Sequence, residues 1–141
     1  MGGYSGARRA SVVLLLSLSI TGLITYYADG VMDEVYRNRL AWGHVQPCAE
    51  CIGMAAMLDR DHIGQQVWID GPLGIEGPFL VVDCGNAAHR KQQEARHLIA
   101  EVDYQTAMRW GMKGPIEGRV QWETPIASRD KLASPISGPQ P

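Results

Sequence analysis

The chain is 141 residues long, a length that fits one domain. Its formal net charge of -2 gives no basic face for nucleic acid, and a hydrophobic content of 45% is that of an ordinary globular protein. The 16 Gly and 8 Pro favour short elements joined by tight turns over a helix bundle.

Met1 to Ala7 is small and polar, and Arg8 and Arg9 precede an apolar run from Ala10 to Tyr27. Cations before an apolar run form the pattern of an export signal or a single membrane anchor. A membrane contact through residues 10–27 is therefore expected, with the domain on the extracytoplasmic side. Asp29 to Gln46 can be read two ways. Val31, Val35 and Tyr36 form a helical stripe with Asp33 and Glu34 early and Arg37 and Arg39 late, as the helix dipole prefers; a first strand is the competing reading. Ile52 to Leu58 reads as a strand, Asp59 to Asp61 as a polar turn, and Gln66 to Asp70 as a half-buried strand by its alternation. Gly71 to Pro78 reads as a long hairpin connection.

Phe79 to Val82 is a short apolar run with two β-branched residues, closed by Gly85-Asn86. It reads as a buried strand that delivers Asp83 and Cys84 to its end. Asn86 to His97 is polar surface, a loop or short helix, with His89 and His97 in solvent. Leu98 to Val102 is a further strand, and it delivers Asp103. Asp103 can cap the helix that follows, where Ala107 and Trp110 share one face and Gly111 is placed to stop it. Gly118 to Glu123 gives the last strand, with Val120 and Trp122 inward and Gln121 outward. Residues 125–141 carry four prolines and no apolar period, the composition of a disordered tail. The division is thus 1–27, signal or anchor; 28–124, folded domain; 125–141, tail.

Three cysteines are present, Cys48, Cys51 and Cys84. In an exported domain a disulfide is the default. The most useful bond would join Cys84 to Cys48 or Cys51, because the longer loop constrains the unfolded chain more; a local Cys48–Cys51 redox pair is also possible. The rival use is a zinc site from His44, Cys48, Cys51 and Cys84. No bound metal and no cofactor is expected otherwise.

The order of these features resembles the double-psi β-barrels of rare lipoprotein A, barwin, expansins and family 45 endoglucanases. The sequence VVDCG at 81–85 resembles the family's Asp-bearing strand. EVDYQTAMRWGM at 101–112 resembles its D-L-S-x-x-A pattern, with Asp103 and Ala107 on the family's Asp and Ala. AAMLDRDHIGQQVWI resembles its A-A-H…G-T-x-V strand, with Gly64 and Val67 on the family's Gly and Val, Met57 where the family has His, and a one-residue gap in the alignment. The resemblance covers about residues 53–123. It implies a mainly β protein, a small six-stranded double-psi barrel with one short helix; the apolar run after Arg8 and Arg9 adds an N-terminal transmembrane or signal helix before it. It also implies a peptidoglycan or other polysaccharide partner, cleaved in the manner of a lytic transglycosylase. Cleavage needs an acid to protonate the leaving oxygen. Asp103 would be that acid and Asp83 its helper, with Tyr104, Trp68, Trp110 and Trp122 as candidates to contact sugar rings. A barrel of the same shape that binds glycan or protein without cutting it is the alternative, and a small zinc-held structural domain is a third.

Overall fold

The computed structural model describes residues 18–86 and 88–125. Arg8, Arg9, the first part of the apolar run and nearly all of the Pro-rich tail lie outside them.

Six strands close into a barrel. They are β1 (Ser19–Tyr26), β2 (Gly53–Met57), β3 (Gln66–Gly71), β4 (Gly74–Cys84), β5 (Leu98–Val102) and β6 (Ile116–Gln121). Around the barrel the order is β1, β5, β2, β4, β3, β6, and β6 returns to β1. Two neighbouring pairs are parallel, β1 with β5 and β2 with β4; the other four are antiparallel. Three short α-helices decorate it: α1 (Val31–Ala41), α2 (Arg90–Ala95) and α3 (Tyr104–Arg109), with a single 3-10 turn at Arg60–His62.

Period-two alternation sorts the side chains. Ile24, Ala55, Val67, Ile69, Phe79, Val81, Ala100, Val102 and Val120 point inward and are buried, and Ala107 and Trp110 from α3 join the same core. A second layer lies outside β2 and β4, where Ala56, Leu80 and Val82 meet Met32 of α1 and Val45. β4 is thus covered on both faces, which is why Phe79 to Val82 is a continuous apolar run instead of an alternating one.

Several expectations change. The membrane segment drawn over residues 10–27 overlaps β1, whose Ile24 is fully buried in the barrel. An apolar run makes no distinction between a span and a strand until its length is settled. Among the described residues no helix is long and apolar enough to cross a membrane, and the folded domain starts before residue 28. Residues 31–41 take the helical alternative, opened by Gly30 in the left-handed region (φ 78°). The expected long connection over Gly71 to Pro78 shrinks to the two residues between β3 and β4, with Gly74 at φ 88°. The single expected helix becomes three. In β6, Gln121 is buried and the strand ends there; Trp122 lies beyond it, half-buried, its ring 4.9 Å from that of His62.

The disulfide joins Cys48 to Cys51, and Cys84 is free. The expectation that Cys84 would be bridged is corrected. It weighed loop entropy alone, but Cys84 ends a strand beside Met57 while the other two share one loop. The short loop is worth roughly 2 kcal/mol in the chain-entropy model, against about 4 for the longer closure. The cystine also removes two thiolates from the zinc set of His44, Cys48, Cys51 and Cys84. Among the described residues no His, Cys, Asp or Glu group could hold a metal ion.

Candidate functional site

Asp103 sits between β5 and α3 in extended conformation, as a helix cap must. Its Oδ2 accepts from the Thr106 backbone N–H at 3.1 Å. Its Oδ1 accepts from the Thr106 hydroxyl at 2.8 Å and from the Met54 N–H at 2.9 Å. The Asp103 N–H in turn reaches the Met54 carbonyl at 3.1 Å. One carboxylate therefore caps α3 and ties it to β2. Asp103 is only 5% exposed. Gly53 permits this approach, since a Cβ there would lie 2.8 Å from Oδ1 and 2.8 Å from the Phe79 ring.

Asp83 has a different set of partners. Tyr27 donates its hydroxyl to Oδ2 at 2.7 Å, and Arg39 of α1 donates to Oδ1 at 3.2 Å. Arg39 also donates to His44 Nδ1 at 3.0 Å. Burial first, and then the bond to Asp83, pushes the Tyr27 hydroxyl well above its usual ionisation range. It therefore remains a donor. The network fastens α1 to the barrel exterior. Asp83 and Glu101 flank the same residue, Ala56, from the strands on either side of β2. Among the described residues Asp83 and Asp103 share no hydrogen-bond partner.

The aromatic candidates are placed as follows. Trp110 is 7% exposed; it packs edge-on to Phe79, lies against Gly71 and donates to Glu76 Oε1 at 2.8 Å. Trp68 is half-buried against Gly77. Trp122 donates to Gln65 Oε1 at 2.8 Å. Tyr104 tilts against Tyr26 with ring centroids 6.5 Å apart. None of the four lines the wide cavity beside β1.

That cavity lies on the outer side of β1. A space of about 410 Å³ is lined by Thr21, Gly22, Leu23, Arg96, His97 and Glu117. An adjoining space of about 220 Å³ shares Leu23 and Arg96 and adds Thr25, Gln93 and Glu101 among its walls. The two form one trench. Its floor is the outward stripe Thr21, Leu23, Thr25, at alternate positions of β1. β6 contributes Glu117, paired with Leu23; β5 contributes Glu101, paired with Thr25, whose hydroxyl donates to Glu101 Oε1 at 2.8 Å. The residues around α2 supply Gln93, Arg96 and His97.

The backbone here is irregular. The β1–β5 register slips between Leu23 and Ile24. His97 alone among the described non-glycine residues has positive φ, 56°, a conformation that costs an L-residue roughly 1–2 kcal/mol. Its carbonyl accepts from the Leu23 N–H at 2.8 Å. Gly22 must be small, because a Cβ would lie 2.5 Å from that carbonyl oxygen. Strain held by surrounding structure concentrates at ligand sites. The side chains of Arg96 and Glu117 have no hydrogen-bond or ion-pair partner in the described residues. They were not singled out in the sequence. The one available signal was the alternation Thr21, Leu23, Thr25, which is hidden inside the apolar run.

Compared with family models, curated proteins and solved structures, the chain matches none of them.

Proposed function

We propose that the chain is an exported barrel of the double-psi kind that holds a cell-envelope glycan in the β1 trench without cutting it. The two parallel strand pairs in a closed six-stranded barrel, and the helix opened by Asp103 after β5, support the double-psi reading. Arg8 and Arg9 before an apolar run support export, as does a cystine, which an oxidising compartment preserves. With β1 taking residues 19–26, the apolar part left at 10–18 matches the core of an export signal, and is about half of the ~20 residues a helical span needs.

The observation that carries the binding reading is the trench. Its Arg96 and Glu117 have hydrogen-bonding capacity unspent, and its floor alternates hydroxyl and aliphatic groups. Sugars offer the complement: hydroxyl donors and acceptors on an apolar ring. Cleavage would require a carboxyl group free to give a proton to the leaving oxygen. The carboxylate that the resemblance nominates, Asp103, instead accepts three hydrogen bonds from its own chain.

The test uses insoluble peptidoglycan sacculi and purified glycan strands. Wild-type protein sediments with sacculi and releases no soluble fragments. The double substitution Arg96→Ala/Glu117→Ala lowers binding at least tenfold while the circular dichroism spectrum is kept. Fragment release by wild type that is lost in Asp103→Asn would replace binding by cleavage. Unchanged sedimentation of the double variant would remove the trench as the site.

A further inference from the structure

The Cys48–Cys51 bridge lines a separate cleft of about 240 Å³ together with Tyr36, Ile52, Met54 and Leu80. The two cysteines are separated by Ala49 and Glu50 only, and both belong to the loop between α1 and β2. The bridge therefore ties no strand to another and closes almost no chain, which makes it a weak staple.

A built feature faces its sulfur. Gln66, the first residue of β3, donates from Nε2 to Cys48 Sγ at 3.3 Å and to Glu50 Oε1 at 2.7 Å. Glu50 thus fixes which end of the amide faces the cystine, since the opposite orientation would set two oxygens together. Gln66 is in register with Leu80, on a pair of barrel strands, so the donor stands on a rigid element. Ile52, half exposed beside the cleft, extends its apolar wall.

From this geometry we infer that the Cys48–Cys51 bridge is a thiol–disulfide exchange site that oxidises dithiols of extended peptide segments seated in the cleft. A thiolate of the dithiol attacks Cys51 Sγ. A sulfur–sulfur bond forms between the two, the Cys48–Cys51 bond breaks, and its electron pair goes to Cys48 Sγ. The Gln66 N–H stabilises the negative charge that develops there, and the Cys48 thiolate then takes a proton from solvent. The second thiol of the dithiol, deprotonated, attacks the mixed disulfide and displaces Cys51 as thiolate, which is protonated in turn. The dithiol leaves as a disulfide, having lost two electrons and two protons, and the protein has gained them as two thiols. Cys84 takes no part.

The experiment follows reduction of the native full chain by dithiothreitol, with thiols counted as they rise from one to three. Gln66→Leu, checked for folding by circular dichroism, slows reduction about tenfold, because the leaving sulfur loses its charge-stabilising donor. Glu50→Gln, which leaves the donor present and less firmly aimed, slows it two- to threefold. If neither substitution changes the rate, or if the native bridge is inert to dithiol while the urea-unfolded chain reacts, the assignment is overturned. A second readout does not depend on either variant folding perfectly. Mass-resolved alkylation of Cys48 in Cys51→Ser reaches half its maximal rate at lower pH than alkylation of Cys51 in Cys48→Ser. The reverse order would reject Cys48 as the leaving sulfur. A rate of bridge reduction by a cysteine-pair peptide no greater than that by glutathione at equal thiol would reject the cleft as its seat.

Discussion

Replacing Asp103 by Ala tests whether this carboxylate belongs to the fold or to a reaction. The substitution removes the cap of α3, worth about 1 kcal/mol for an Asp cap. It also leaves the Met54 N–H and the Thr106 hydroxyl without the acceptor that each now reaches at 2.9 and 2.8 Å. A stranded polar group away from water costs roughly 1–3 kcal/mol. Thr106 is buried as well, and the low end of that range is taken for each of the two groups. The sum is about 3 kcal/mol, which in a domain near 100 residues lowers the melting temperature by roughly 12–24 °C. Asp103→Asn keeps one acceptor oxygen and loses about half as much. Urea unfolding followed by tryptophan fluorescence and circular dichroism measures it: the midpoint falls and the slope is unchanged. The reasoning fails if Asp103→Ala costs less than about 1 kcal/mol and yet abolishes an activity on glycan strands.

Gly53→Ala pushes a methyl group to 2.8 Å from Asp103 Oδ1 and from the Phe79 ring, and should cost about 2 kcal/mol by overpacking, read from the thermal midpoint. His97→Gly relieves the left-handed strain and should leave stability unchanged or raise it by about 0.5–1 kcal/mol, while a drop beyond 1 kcal/mol would mean that the imidazole is held by contacts. Tyr27→Phe tests the sign of the raised hydroxyl. The folded group ionises at higher pH than the unfolded one, so its contribution is whole below about pH 10 and declines as pH rises further. Between about pH 10 and 12 the wild type should therefore lose stability faster than Tyr27→Phe, by at most about 1 kcal/mol per pH unit once partial exposure is allowed for. Equal slopes in pH-jump unfolding would contradict it.

Much of the barrel was legible because its signals are local. Asp103 announces a helix start, Gln66 to Asp70 alternates, and Phe79 to Val82 declares a strand covered on both faces; each appears where expected. Errors fall where local signals are shared by two structures. Ser19 to Tyr26 sits in a run whose mean hydropathy suits a membrane, and only the barrel's need for a sixth strand gives its Thr21, Leu23, Thr25 stripe an outside. The Gly-Pro pairs at 71–78 look like one loop. The extra length of β4 is fixed by its partners: Ile75 and Glu76 pair with β3, and Phe79 to Cys84 with β2.

The site was harder because function depends on what remains unspent after folding. Asp83, Asp103 and Glu117 are all acidic residues at or beside barrel strands, and composition treats them alike. Among the described residues, Asp103 meets three donors, Asp83 meets a phenol and a guanidinium, and Glu117 meets none. The difference comes from parity and position. Asp103 follows Val102 into a helix start and turns toward the β2 backbone; Asp83 reaches Arg39 of α1; Glu117, paired with Leu23, lines the open space beside β1. A motif can therefore nominate the carboxylate that a fold uses to hold itself together. On the proposed reading, a residue able to receive a ligand is one that lines an open space and whose neighbours, by the same pairing rules, leave it without a partner among the described residues, as they leave Arg96 and Glu117 in the β1 trench.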